Sequence, residues 1–67
     1  MAVLKVIELL ASSEKNWEDA AQNAVKQAAK TIKGIRSVYV KEMTAVVNGD
    51  QITEYRVNVK VSFEVLN

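Results

Sequence analysis

The sequence predicts an α+β fold with its elements in the order β-α-β-β, and three patterns predict it. From Ile52 to Val65 the chain alternates strictly. Thr53, Tyr55, Val57, Val59, Val61, Phe63 and Val65 are apolar or β-branched, while Glu54, Arg56, Asn58, Lys60, Ser62 and Glu64 between them are polar. Successive side chains of a strand point to opposite faces, so this is one long strand with an apolar face and a polar face. Upstream, Trp17, Ala20, Ala21, Ala24, Val25, Ala28 and Ile32 recur at helical spacing and make a single apolar stripe. Finally, Asn48-Gly49 stands just before the long strand and is a strong two-residue hairpin signal, so that strand returns antiparallel to its predecessor.

The elements follow in order. Residues 2–11, AVLKVIELLA, are a short run rich in Val, Ile and Leu, which favours a strand over a helix. Its period is ambiguous, which suggests burial on both faces or a contact with another copy. Ser12 and Ser13 offer hydroxyl caps for a helix start, and Asn16 followed by Asp19 is a second capping pattern. The helix is expected from about Glu14 to Lys33, with Glu14, Glu18 and Asp19 early and Lys26, Lys30 and Lys33 late, as the helix dipole favours. Gly34 is the expected stop. A second strand runs from Ile35 to Val47, and neither of its faces is wholly polar.

Composition narrows the chemistry. The chain has 67 residues, enough for one domain over 1–67. A chain of this size buries only ~60% of its extended surface and is marginally stable alone. Disulfides, metals and oligomerisation are the usual supports. There is no Cys and no His, which removes disulfides, thiolate metal sites and the commonest general base. Oligomerisation remains. The 9 basic and 8 acidic residues give a net charge of +1, so no polyanion partner is implied. The apolar start is interrupted by Lys5 and Glu8, reads as neither membrane span nor signal peptide, and with the lack of Cys fits the cytoplasm. Without His or Cys no nucleophile–base pair can be assembled, and two distant Gly cannot form a phosphate loop, so an enzyme is not expected.

Length sets a further expectation. A strand of about 13 residues spans ~43 Å, whereas a helix of about 18 residues spans only ~27 Å. One helix cannot cover such a sheet. The remaining apolar surface is expected to meet copies of the same chain.

Several stretches together resemble the dodecin family over nearly the whole length. They are the opening KVIELLASS, the helix start Trp17-Glu18-Asp19-Ala20, Ile35-Arg36 at the start of the second strand, Val40-Lys41-Glu42, and the closing EYRVNVKVSFEV. The resemblance implies a three-stranded antiparallel sheet partly wrapped around the helix. Twelve such protomers would assemble as a hollow, roughly spherical homododecamer. It also implies a non-catalytic storage or sequestering role for a flavin, riboflavin or FMN, whose rings stack between tryptophans.

Four positions correspond to the family's ligand site. The stacking Trp would stand at Ser37, the Gln that hydrogen-bonds the ring edge at Arg56, and two arginines of many bacterial members at Thr44 and Glu64. Ser37 has no π face, and Arg56 has five donors and no acceptor, so it cannot donate and accept as Gln does. Glu64 in place of a cation would repel a phosphate. The chain thus resembles the subgroup that lacks the stacking Trp, with which calcium is associated. The alternative reading is a structural or calcium-binding assembly that takes no flavin. Glu42, Glu54 and Glu64 are its candidate carboxylates, since calcium needs six to eight oxygens. Trp17, on the helix stripe, is expected in the core or an interface, and Arg56 to pair with an acid such as Glu54, Glu42 or a neighbour's Glu64. Tyr39 and Tyr55 are expected to pack on strand faces.

Overall fold

The computed structural model describes residues 3–65. Strand β1 (Leu4–Ser13) is followed by helix α1 (Trp17–Ala29), strand β2 (Ile35–Asn48) and strand β3 (Gln51–Glu64). The sheet order is β1-β3-β2, and β3 pairs antiparallel with both neighbours. The predicted β-α-β-β layout is therefore observed, with the most clearly patterned strand at the centre. Ala2, at the start of the predicted first strand, lies outside the described residues.

The core follows from the two periodicities. Val57, Val59 and Val61 on one face of β3 are fully buried against Ala20 and Ala24 of α1. Ile7, Leu9 and Ala11 of β1, and Ile35 and Val38 of β2, close around them. Alanines on the helix stripe let its axis lie close to the sheet, where a larger side chain would hold it off.

Four expectations are corrected. Ser12 and Ser13 belong to β1 and do not cap the helix. The N-cap is Asn16, whose side chain accepts from the Asp19 backbone N–H at 2.7 Å. Ser13 is buried and supports that turn indirectly, donating to Asp19 Oδ2 at 2.6 Å and accepting from the Lys15 backbone N–H at 2.9 Å. The helix is also shorter than predicted, 13 residues ending at Ala29, because a turn over Lys30–Ile32 folds back on the Ala28 carbonyl. Gly34, with φ +78°, terminates that turn rather than the helix itself. The hairpin turn is Gly49-Asp50, flanked by the pair Asn48↔Gln51, with Gly49 at φ +68° in the first central position.

The mixed pattern of β2 has a physical cause. Register shifts between Ile35 and Ser37, between Val40 and Glu42, and between Val46 and Val47 change which residues share a face. The length mismatch is larger than the sequence suggested: the 13-residue α1 spans ~20 Å, and a 14-residue strand ~46 Å. The hairpin end projects past the helix and leaves Val47 60% and Ile52 50% exposed, with Met43 also exposed. Among the described residues no helix is long and apolar enough to cross a membrane.

Candidate functional site

The polar face of β3 looks away from the helix, and the strand register lays its neighbours beside it in rows. Arg56 lies between Ser12 of β1 and Thr44 of β2; Asn58 between Leu10 and Glu42; Lys60 between Glu8 and Tyr39; Ser62 between Val6 and Ser37. All four residues singled out from the sequence therefore share one face. They fall into two groups. Thr44 and Arg56 are direct cross-strand partners, whereas Ser37 and Glu64 lie at the other end, six to eight residues along β3 or ~20–26 Å away. One protomer does not bring the four together.

At the first end, Arg56 Nε donates to Glu54 Oε1 at 2.9 Å, the ion pair expected from two opposite charges two residues apart on one strand face. The pair borders a shallow cavity of about 250 Å³ lined by Leu10, Ala11, Ser12, Glu54 and Arg56. The helix reaches both edges of this row: Asn23 Nδ2 donates to the Ser12 carbonyl and Trp17 Nε1 to the Thr44 carbonyl, each at 3.1 Å. Trp17 is half-buried and meets Tyr55 edge to face, with ring centroids 4.8 Å apart and planes at 76°. It thus packs in the core, as its place on the stripe predicts, and also holds the strand that carries Thr44. Asn23 carried no such signal in the sequence, because its partner becomes a neighbour only once the sheet forms.

At the second end, the Ser37 and Ser62 hydroxyls are hydrogen-bonded to each other. Glu64 is paired with Arg36. The expected repulsion of a phosphate by Glu64 is accordingly offset by a cation that sequence reasoning did not pair with it. Midway, Lys41 Nζ lies 3.6 Å from Glu8 Oε2 across β3, and Asn58 Oδ1 is buried without a hydrogen-bond partner among the described residues. Tyr39 is exposed on this face.

As to metal, the described residues hold no group of three or more acidic side chains placed to share an ion. Glu54 and Glu64 are engaged by Arg56 and Arg36, and Glu42 stands beside Asn58. Calcium, with its need for six to eight oxygens, would have to draw ligands from more than one copy.

The fold and this face can now be set beside known proteins. The family model described as Dodecin matches residues 3–66. The calcium dodecin of Mycobacterium tuberculosis is 35% identical over 65 residues, covering 97% of this chain and 92% of that protein. The dodecin of Thermus thermophilus is 33% identical over 63 residues, covering 94% and 91%. A crystal structure of an arginine-to-alanine variant of the T. thermophilus dodecin superposes with TM-score 0.93 at 31% identity, covering 100% of both chains. The crystal structure of the M. tuberculosis calcium dodecin, described as a calcium-chelating antigen with a novel calcium-binding site, superposes with TM-score 0.81 at 35% identity, covering 96% of this chain and 91% of that one. By sequence pattern, family model and three-dimensional match alike, the chain belongs to the dodecin family.

Proposed function

We propose that this chain is a non-catalytic, homododecameric protein that binds and sequesters a small molecule on the polar face of its sheet. The observation that carries the reading is the row Ser12–Arg56–Thr44. It sets the Arg56–Glu54 ion pair beside a shallow cavity bordered by the exposed Leu10, and it is tied to the helix at both edges. Family membership supports a ligand-binding role, and the apolar surface that α1 leaves uncovered supports self-assembly. Flavin, riboflavin or FMN, is the ligand to test first. Without a tryptophan at position 37 the ring would have no aromatic sandwich from this position, which in general contributes about 1–3 kcal/mol per base-sized ring. Binding is therefore expected to be weaker than in a site that keeps both indoles. The test is titration of riboflavin and of FMN into micromolar protein while flavin fluorescence is followed. Saturable quenching supports the reading, and unchanged fluorescence for both rejects flavin as the ligand.

The second reading is a calcium-linked or purely structural assembly, favoured by the 35% identity to the M. tuberculosis calcium dodecin. Carboxylates from several copies, Glu42, Glu54 and Glu64 among them, would supply the oxygens. A calcium-dependent rise in melting temperature, reversed by chelator, supports it. A melting temperature indifferent to both rejects a calcium link.

A further inference from the structure

The hairpin tip carries the chain's Asn-Gly step, Asn48-Gly49. An asparagine side-chain amide is open to attack by the backbone nitrogen of the next residue, and asparagine is accordingly counted among the thermolabile residues. Attack is easiest ahead of glycine, which has no Cβ to crowd that nitrogen. Four asparagines stand among the described residues, and three are restrained. Asn16 accepts the Asp19 N–H and precedes the bulky Trp17. Asn23 donates to the Ser12 carbonyl and precedes Ala24 inside α1. Asn58 precedes the fully buried, β-branched Val59 in the central strand. Asn48 has none of these restraints. It is exposed, and neither its side chain nor the Gly49 N–H makes a hydrogen bond among the described residues.

The tip is also weakly supported. Every residue from Val47 to Thr53 is exposed. Beyond the register shift at Val46/Val47, the strands are joined by the pairs Val47↔Ile52 and Asn48↔Gln51. Few buried contacts and solvent-exposed backbone hydrogen bonds are the marks of a segment that opens locally. Opening matters here, because Asn48 is held in β2 with an extended backbone and the attack requires that backbone to rotate. Crowding does not oppose it: nothing stands within 4 Å of the position a Gly49 side chain would take.

We propose that Asn48 is a self-modification site that limits the lifetime of the hairpin tip. The Gly49 backbone nitrogen attacks the Asn48 side-chain amide carbon and gives up its proton to solvent. Ammonia leaves, so one C–N bond forms as another breaks. Water then opens the cyclic imide at either carbonyl. One product is aspartate. The other is isoaspartate, in which the main chain runs through the former side chain and is one carbon longer. Water is the only reactant consumed, and nothing is oxidised or reduced. The longer chain no longer fits the two-residue turn closed by Asn48↔Gln51. Either product also sets a new acid close to Asp50, and the net charge falls from +1 to zero. Val47 and Ile52, exposed beside the turn, then lose the register that presents them to a neighbouring copy, a consequence that rests on the self-assembly reading.

The intact protein is aged in mildly alkaline buffer, and its asparagines are followed by peptide mapping with isoaspartate detection. Asn48 is expected to convert about tenfold faster than Asn16, Asn23 or Asn58, the equivalent of about 1.4 kcal/mol in the barrier. The aged protein is expected to melt several degrees below the fresh protein. Asn48→Gln, whose longer side chain closes an imide far more slowly, is expected to age without change. Fresh Asn48→Asp carries the new charge without the longer main chain and is expected to melt with the fresh wild type. Four results would each overturn the proposal: an unchanged Asn48, another asparagine converting ahead of it, an aged wild type that melts like the fresh one, or fresh Asn48→Asp melting as low as the aged wild type. Native mass spectrometry of the fresh sample separates this proposal from the assembly reading. A monomer whose Asn48 converts with the stated loss of melting temperature removes the assembly reading and leaves the modification site standing. A dodecamer whose Asn48 stays intact does the reverse.

Discussion

Ser13 and Trp17 show how single side chains tie the start of the helix to the strands. Ser13 is buried, and its hydroxyl both donates to Asp19 and accepts from the Lys15 N–H. Ser13→Ala leaves that N–H without its partner, so a loss of about 1–2 kcal/mol is expected in denaturant unfolding. Trp17→Phe keeps an aromatic ring against Tyr55 but deletes the donor to the Thr44 carbonyl. A loss of about 1 kcal/mol is expected, with weaker binding at the Arg56 cavity if that row depends on being held. In the core, Val59 is completely buried, and Val59→Ala removes two methyl groups and leaves a void. At ~0.8 kcal/mol per carbon plus a cavity term, the expected loss is about 2–3 kcal/mol. Much of this scale was legible in advance. Alternation identified Val57, Val59 and Val61 as core and Arg56 as outward, and Glu54 was one of three acids expected as the partner of Arg56. The Arg36–Glu64 and Trp17–Thr44 contacts were not legible, because 28 and 27 residues separate the partners, and only the sheet register for the first and the packing of α1 on the sheet for the second bring them together.

At the scale of elements, periodicity carried further than boundaries did. The helix stripe and the long strand alternate as written, and the burial of Ala20, Ala24 and Ala28 follows it. The first helical turn was misplaced because two serines looked like caps. Strand pairing holds them in β1 instead, since Ser12 and Ser13 are opposite Arg56 and Tyr55. Asn16→Ala should destabilise the helix start by about 1 kcal/mol, a larger effect than the same change at exposed Ser12, in chemical denaturation of the two variants. The hairpin offers a second check. Gly49 has φ +68°, and a side chain added there meets no atom within 4 Å, so any penalty is conformational rather than steric crowding. Gly49→Ala is expected to cost about 1–2 kcal/mol, and Gly49→Asn less, since Asn tolerates the left-handed region. The register shifts in β2 had no sequence signature beyond a face pattern that never became clean. A bulge is set by how two strands meet, and a single strand's pattern does not reveal it.

At the scale of the molecule, the protomer measures 50 × 20 × 13 Å, with its buried core confined to the part under α1. Leu4, Val6 and Leu10 on β1, and Met43, Val47 and Ile52 around the hairpin, remain exposed on both sides of the sheet. Scattered single apolar residues on a surface are ordinary. Here they cluster along an unsupported arm and one edge strand, and a chain this small has no disulfide to compensate. The mismatch between a ~20 Å helix and ~46 Å strands could be read from the sequence; which copy covers which patch could not, because the pattern marks a face as apolar without naming its partner. The central claim is that the fold is completed by copies of itself in the manner of the family to which it belongs. Native mass spectrometry of the intact protein tests it most directly: the account predicts one dominant species of twelve protomer masses, with any retained ligand resolved as an added mass, and a protein found as monomer or dimer at micromolar concentration would contradict it.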